Sequence, residues 1–207
     1  MGLCPASVRL WTDALGIIII KRYMKTSYLF LAPGFEEIEA LATVDVLRRA
    51  GMDVVTVSVG VDGPVAGAHG MNVVADTTIE ELPACPDAEW LIAPGGMPGA
   101  SNLAADVKLC EMLKAFSLKG GNVAAICAAP AVVLAPLGLL DGRNATCYPG
   151  FENGCEAAGA SMLKQRVVVD GNVITANGPS SAIPFALAIV EKSMGKAVAD
   201  NVAGGML

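Results

Sequence analysis

The chain has 207 residues, 54% of them hydrophobic and 16% charged, which suits one domain with a large core and leaves two full domains cramped. A net charge of −6 without a lysine or arginine run argues against a general grip on nucleic acid or an anionic membrane, and favours a small partner. The six cysteines form no Cys-x-x-Cys pair and His69 is the single histidine, so a structural zinc site lacks its ligands and a reducing cytoplasm fits best.

In chain order, Leu15-Gly-Ile-Ile-Ile-Ile20 is apolar but far shorter than a membrane span. Lys21-Arg22 follows it where a signal peptide would carry small residues, so neither a span nor a secretory leader is expected. Met24 directly precedes the first clear strand. Residues 1–24 therefore read as an N-terminal extension outside the fold, and 25–207 as a single domain.

Thr26–Ala32 is a continuous apolar run ended by Pro33-Gly34, as expected of a strand buried on both faces. A helix over Glu36–Ala50 places Ala40, Leu41, Val44 and Leu47 on one face and stops at Gly51. Asp53–Val59 is the next strand, and Gly60–Ala75 reads as a small excursion or hairpin. Trp90–Ala93 enters the glycine turn Pro94-Gly-Gly-Met-Pro-Gly99, followed by a helix with Leu103, Val107, Cys110 and Leu113 aligned. Asn122–Ile126, a turn at Cys127 and a helix over Pro130–Ala135 make a third such unit. Val167–Val169 and Val173–Ala176, joined by Asp170-Gly171, read as a hairpin. Ile183, Ala186, Leu187, Val190 and Met194 trace the last long helix. Asn144-Ala-Thr146 spells a glycosylation acceptor, relevant only to a secreted chain. This alternation predicts a mainly parallel sheet covered on both faces, with ligands outside the C-terminal strand ends.

Three loops converge on that edge. Cys127 occupies a strand-to-helix turn with small neighbours, the arrangement of a nucleophile elbow, where unpaired N–H groups of the following helix favour thiolate. Free cysteine is equally at home as a small buried hydrophobe, and both readings stand at this point. Glu36 and Glu37 need no more than the helix dipole to explain them. The spacing of Glu39 with Thr43 and Val46 lets it turn inward, where a protonated carboxyl would donate a hydrogen bond to a thiolate. Gly95 and Gly96 make either a plain tight turn or a close backbone approach, with N–H groups of Gly96 and Ala128 holding an oxyanion. His69 reads as a surface or interface residue, and no histidine follows Cys127.

Together, Ala32-Pro-Gly-Phe-Glu-Glu-Ile-Glu39, Val44-Asp-Val-Leu-Arg-Arg-Ala-Gly51, Pro94-Gly-Gly96, Ala124-Ala-Ile-Cys127-Ala-Ala-Pro130 and Gly178-Pro…Phe185-Ala-Leu-Ala-Ile-Val-Glu191 resemble the DJ-1/ThiJ/PfpI superfamily, with the strongest likeness to the branch of the Parkinsonism-associated protein deglycase. The resemblance runs from about Lys25 to the C-terminus. It implies a flavodoxin-like, class I glutamine amidotransferase-like three-layer α/β sandwich with its nucleophile elbow at Cys127. Cys127 matches the family's oxidisable nucleophile and Glu39 the protonated glutamate that hydrogen-bonds it. Gly95, Gly96 and Ala128 match its oxyanion-binding turns, and His69 falls where some members carry a basic residue at the dimer interface.

One departure is Thr146-Cys-Tyr-Pro149, which offers Tyr148 where several members have a histidine. Neutral tyrosine is a poor base at physiological pH, so the peptidase chemistry claimed for some relatives is not expected. The resemblance implies a cytoplasmic homodimer that needs no cofactor or metal. It implies an enzyme of the glyoxalase or deglycase type that acts on small reactive carbonyl compounds such as methylglyoxal and glyoxal. The competing function is a redox sensor, stress-protective or chaperone-like protein in which Cys127 oxidises to a sulfinate held by Glu39. A role in thiamine-precursor metabolism has no sequence feature behind it.

Overall fold

The computed structural model describes the backbone of residues 8–12, 18–22 and 25–206, with side chains in 25–206. The apolar Leu15–Ile20 segment and Met24 lie partly or wholly outside the described residues. Val8–Thr12 and Ile18–Arg22 pair antiparallel in a two-stranded sheet of their own. Among the described residues no helix is long and apolar enough to cross a membrane.

The rest is built on one central sheet. Its strands, in chain order, are β1 (Thr26–Leu31), β2 (Val54–Ser58), β3 (Thr77–Thr78), β4 (Ala88–Ala93), β5 (Asn122–Ile126), β6 (Val167–Asp170) and β7 (Val173–Ala176). They lie in the order β6-β7-β5-β4-β1-β2-β3, and every neighbouring pair is parallel except the β6/β7 hairpin. The helices are α1 (Glu37–Arg49), α2 (Gly99–Ala105), α3 (Val107–Leu118), α4 (Glu152–Ala157), α5 (Ala182–Met194) and α6 (Lys196–Gly204). This is the flavodoxin-like α/β sandwich, its central strands continuous apolar runs because helices cover them. Leu29, Phe30 and Leu31 of β1, Leu91 and Ile92 of β4, and Val123 to Ile126 of β5 are fully buried. Trp90, also buried, satisfies its ring N–H by donating to Ser193 Oγ of α5 at 2.7 Å.

Several elements differ from the sequence pattern, each for a local reason. Leu41 and Ile183 are 38% and 46% exposed. Ala40, Val44 and Leu47 do face inward on α1, joined by Glu39, Thr43 and Val46, and on α5 Ala186 and Val190 do so with Ala182, Phe185 and Ile189. The helix expected after the glycine turn breaks at Asp106, whose extended backbone ends α2 and whose carboxylate caps α3 through Leu109 N–H at 2.8 Å. That break leaves Val107 69% exposed and gives the inward face to Leu109, Met112, Leu113 and Phe116. The excursion is a minimal hairpin, Val65–Ala66 against Asn72–Val73. The segment between Ala135 and β6, unassigned by periodicity, holds α4 and a short parallel pair, Asn144–Ala145 with Ser161–Met162.

Candidate active site

Because the strands run parallel, the loops after β1, β4, β5 and β7 all emerge at one end of the sheet. Backbone bonds lace two of them together. Glu36 N–H donates to the Gly95 carbonyl at 3.0 Å, and Gly99 N–H donates to the Gly34 carbonyl at 3.1 Å.

Cys127 directly follows β5 with φ +66°, the one non-glycine residue with positive φ among the described residues. Such a conformation costs on the order of 1–3 kcal/mol and persists only where its surroundings impose it. Here Cys127 N–H donates to the Ala176 carbonyl of β7, and the Cys127 carbonyl accepts from Tyr148 N–H, both at 2.8 Å. The strained turn is the nucleophile elbow. The element behind it is a short π-helix, Pro130–Leu134, with Pro130 at its start.

Glu39 is fully buried in the first turn of α1. Its backbone N–H is taken by the Glu36 carboxylate at 2.7 Å, which makes Glu36 the helix cap. Glu39 Oε2 accepts from Gly95 N–H at 2.8 Å, while the buried Oε1 has no partner of ordinary hydrogen-bond geometry. The neighbouring side chain is Cys127, whose thiol acts on the Glu39 carboxyl. Burial pushes that carboxyl up to about 7, although the Cys127 and Gly95 hydrogen bonds oppose the rise.

The thiol departs from what the elbow alone suggested. Desolvation first, and then the charge of Glu39, push Cys127 up to about 12, and the N–H groups of Gly96 and Ala128 offset only part of this. The two groups titrate as a pair that holds one proton between them above neutrality.

Gly95 and Gly96 have no room for side chains. A Cβ on Gly95 would lie 2.6 Å from Cys127 Cβ and 2.7 Å from Glu39 Oε2, and Gly96 adopts φ +87°. Gly96 and Ala128 direct N–H groups to the Cys127 sulfur, whereas Gly95 spends its N–H on Glu39 rather than on an oxyanion. Tyr148 stands beside the elbow through its backbone bond to Cys127; its ring is 44% exposed and edge-on to Phe151, centroids 6.4 Å apart.

His69 lies on the excursion turn with its side chain 66% exposed. The buried Glu37 does more than complement a dipole, since it accepts from His69 N–H at 2.7 Å and meets the ring Nδ1 at 2.8 Å. Burial alone would raise the Glu37 carboxyl, but these His69 bonds hold it below its ordinary value, and His69 is raised in return. Glu36, Glu37 and His69 bring potential metal-ligand atoms within 4.8 Å of one another. Their oxygens are already committed to capping Glu39 and clamping the turn. Motif reading passed over this clamp because the residues are 32 apart in sequence.

Residues 25–192 match the DJ-1/PfpI family. The chain belongs to the DJ-1/PfpI family. Among similar members, Protein DJ-1 homolog A of Arabidopsis thaliana is 37% identical over 187 residues, covering 89% of this chain and 47% of that protein. The chain thus spans about half the length of that relative. The glutathione-independent glyoxalase DJR-1.2 of Caenorhabditis elegans is 37% identical over 168 residues, 81% of this chain and 88% of that protein. The structure of Toxoplasma gondii DJ-1, oxidized, superposes with a TM-score of 0.81 at 38% identity, covering 88% of this chain and 97% of that one.

Proposed function

We propose that this DJ-1/PfpI member is a cofactor-independent enzyme of the glyoxalase or deglycase type, acting on methylglyoxal, glyoxal or their early adducts. One observation carries the reading: a thiol on a strained elbow shares a buried proton with Glu39, while two backbone N–H groups face its sulfur. A carboxyl near 7 exchanges protons readily at physiological pH. The C. elegans relative is a glutathione-independent glyoxalase, an activity of the same class.

In this reading the Cys127 proton moves to Glu39, and the sulfur attacks the aldehyde carbon of methylglyoxal to form a hemithioacetal. The new alkoxide takes a proton from Glu39 after stabilisation by the Gly96 and Ala128 N–H groups. The Glu39 carboxylate then removes the aldehyde-derived C–H, and the resulting enediol is reprotonated at the neighbouring carbon. Water cleaves the thioester so formed, releasing lactate and the thiol. The sum is methylglyoxal plus water giving lactate, with no oxidant or reductant required. Tyr148 borders the substrate's path but does not serve as the base.

The reading also includes a homodimer. Ile38 and Leu41 on α1, Met71 beside His69, and Ile183 on α5 are apolar and 38–57% exposed, material for a subunit contact. The purified chain should form lactate from methylglyoxal, and Cys127→Ser should not. Equal rates in the two proteins would overturn the assignment.

The second reading, redox sensing, is favoured by the same pair of N–H groups, which suit a sulfinate oxygen on Cys127 as well as an alkoxide.

A further inference from the structure

A cavity of about 460 Å³ opens at the end of the sheet opposite Cys127, where β4 and β5 begin at Ala88 and Asn122. Its wall includes Cys85, in the connection leading into β4, and Lys119, which ends α3. Lys119 Nζ donates to Cys85 Sγ at 3.3 Å, across 34 residues of chain. Among the described residues the side-chain partner of this ammonium is the thiol and not a carboxylate. Lys25, on the same wall, pairs with Asp87 at 2.5 Å.

The backbone on each side restricts where the two groups can go. Cys85 lies in Pro83-Ala-Cys-Pro86, where the ring of Pro86 fixes its own φ and disfavours helical geometry at Cys85. Lys119 is the C-cap of α3, its N–H donating to the Phe116 carbonyl at 3.2 Å. Gly121 N–H returns to the same carbonyl at 3.0 Å, and Gly121 packs so closely on the buried Phe116 ring that a Cβ would lie 2.5 Å from it. The turn that carries Lys119 is thereby tied to the core. Cys85 is partly buried and Lys119 exposed, so the pair is open to a small solute. The cavity admits one as small as hydrogen peroxide, since a water occupies about 30 Å³ of liquid. Cys110, likewise partly buried, instead directs its thiol to the Ala104 carbonyl at 3.4 Å.

We propose that Cys85 and Lys119 form a redox site separate from Cys127, in which a peroxide joins sulfur to nitrogen as a sulfenamide and a thiol reductant reopens it. The Cys85 sulfur attacks peroxide; the S–O bond forms, the O–O bond breaks, and the thiol proton leaves with hydroxide as water. The Lys119 nitrogen, having given one ammonium proton to solvent, then attacks the sulfenic sulfur. The S–N bond forms, the S–O bond breaks, and hydroxide takes a second nitrogen proton as it leaves as water. One thiol, one ammonium and one peroxide give one sulfenamide, two waters and a proton; sulfur is oxidised and peroxide reduced. Two reductant thiols reverse the closure, restoring thiol and amine and departing as their own disulfide. Rotation of the flexible four-carbon Lys119 stem carries its nitrogen from 3.3 Å to bonding distance.

The closed bridge ties the entry of β4 to the end of α3. It spans 34 residues and restricts the unfolded chain as a disulfide of that reach does.

Tryptic masses read the bridge directly. Cutting after Arg49 and Lys108 releases residues 50–108, which contain Cys85 and no other cysteine, and cutting after Lys114 and Lys119 releases 115–119. Trypsin does not cut at a substituted lysine, so the bridge joins 50–108 to 115–143, lighter by two hydrogens than the two peptides together, methionine oxygens aside. The full chain carrying Cys127→Ser, which removes the cysteine of 115–143, is treated with graded hydrogen peroxide, alkylated in denaturant and digested. The joined species should grow with peroxide, and dithiothreitol should return an alkylable Cys85 and cleavage at Lys119. Lys119→Arg keeps a cation but should abolish the joined species, leaving a Cys85 sulfenic acid that dimedone captures. The proposal is overturned if Cys85 stays fully alkylable throughout the peroxide series, or if it is oxidised only to a sulfinate or a disulfide while Lys119 is still cut. It is equally overturned if the joined species persists in Lys119→Arg, or if fragmentation finds an oxygen between sulfur and nitrogen. None of these outcomes bears on whether methylglyoxal is turned over, so the two proposals stand or fall separately.

Discussion

Glu39→Gln isolates the shared proton. Burial raises the Glu39 carboxyl from 4.5 to about 7 in the folded chain, which corresponds to about 3 kcal/mol of differential stabilisation. The raised value means that the folded state favours the protonated acid. Stability from this source is fully present below the unfolded value near 4.5 and is lost as pH climbs through about 7. Glutamine retains an oxygen for Gly95 N–H and cannot ionise. The variant should therefore gain on the parent as pH rises, by up to about 3 kcal/mol between pH 5 and pH 8. Urea denaturation at closely spaced pH values measures this difference, and Cys127, up at about 12, does not titrate within the window. The same variant should lose carbonyl turnover by about 10²-fold or more while its cysteine remains alkylable, because an amide cannot shuttle protons. A stability difference flat across this range, or turnover at the parental rate, would refute the shared-proton argument and return Tyr148 or water to consideration as the base.

Gly95→Ala should abolish turnover and destabilise the fold by roughly 1–3 kcal/mol, since its methyl would press on both Cys127 Cβ and Glu39 Oε2; kinetics and denaturation of the variant test this. The single histidine should titrate above 6.5 by NMR, lifted by its bond to Glu37, and a value at or below 6.5 would contradict the clamp. His69→Ala should let the Glu37 carboxyl rise, since the side-chain bond to His69 helps to hold it below its ordinary value, and a carboxyl titration by NMR that shows no rise would contradict the clamp. Sedimentation should give a species near twice the 21.1 kDa chain mass, and a monomer at micromolar concentration would remove any role of His69 across an interface.

The sequence revealed the elements whose signals are local and periodic. β1, β4 and β5 announce themselves as buried apolar runs ended by glycine or small residues, and the inward turn of Glu39 was visible in its spacing with Thr43 and Val46. The two-helix break at Asp106 was missed because apolar spacing continues across it, and the cap that overrides it is one carboxylate accepting one N–H. The expectation of a depressed thiol weighed the N–H groups facing Cys127 but not burial or the neighbouring charge, and both outweigh them. Glu37 on α1 meets His69 on the excursion turn across 32 residues with no shared period, so their pairing exists only in three dimensions.

The backbone of Cys127 is anchored by Ala176 and Tyr148, segments synthesised well after it. On the ribosome, residue 127 emerges with neither anchor available, and nothing yet compels its left-handed turn. Until β7 has been made and inserted beside β5, the cysteine is an ordinary thiol on a nascent chain, and a product truncated before residue 176 would carry Cys127 without the bond that holds its turn. The left-handed turn at Cys127 is thus imposed only once most of the domain exists, a form of timing written into the order of strands along the chain.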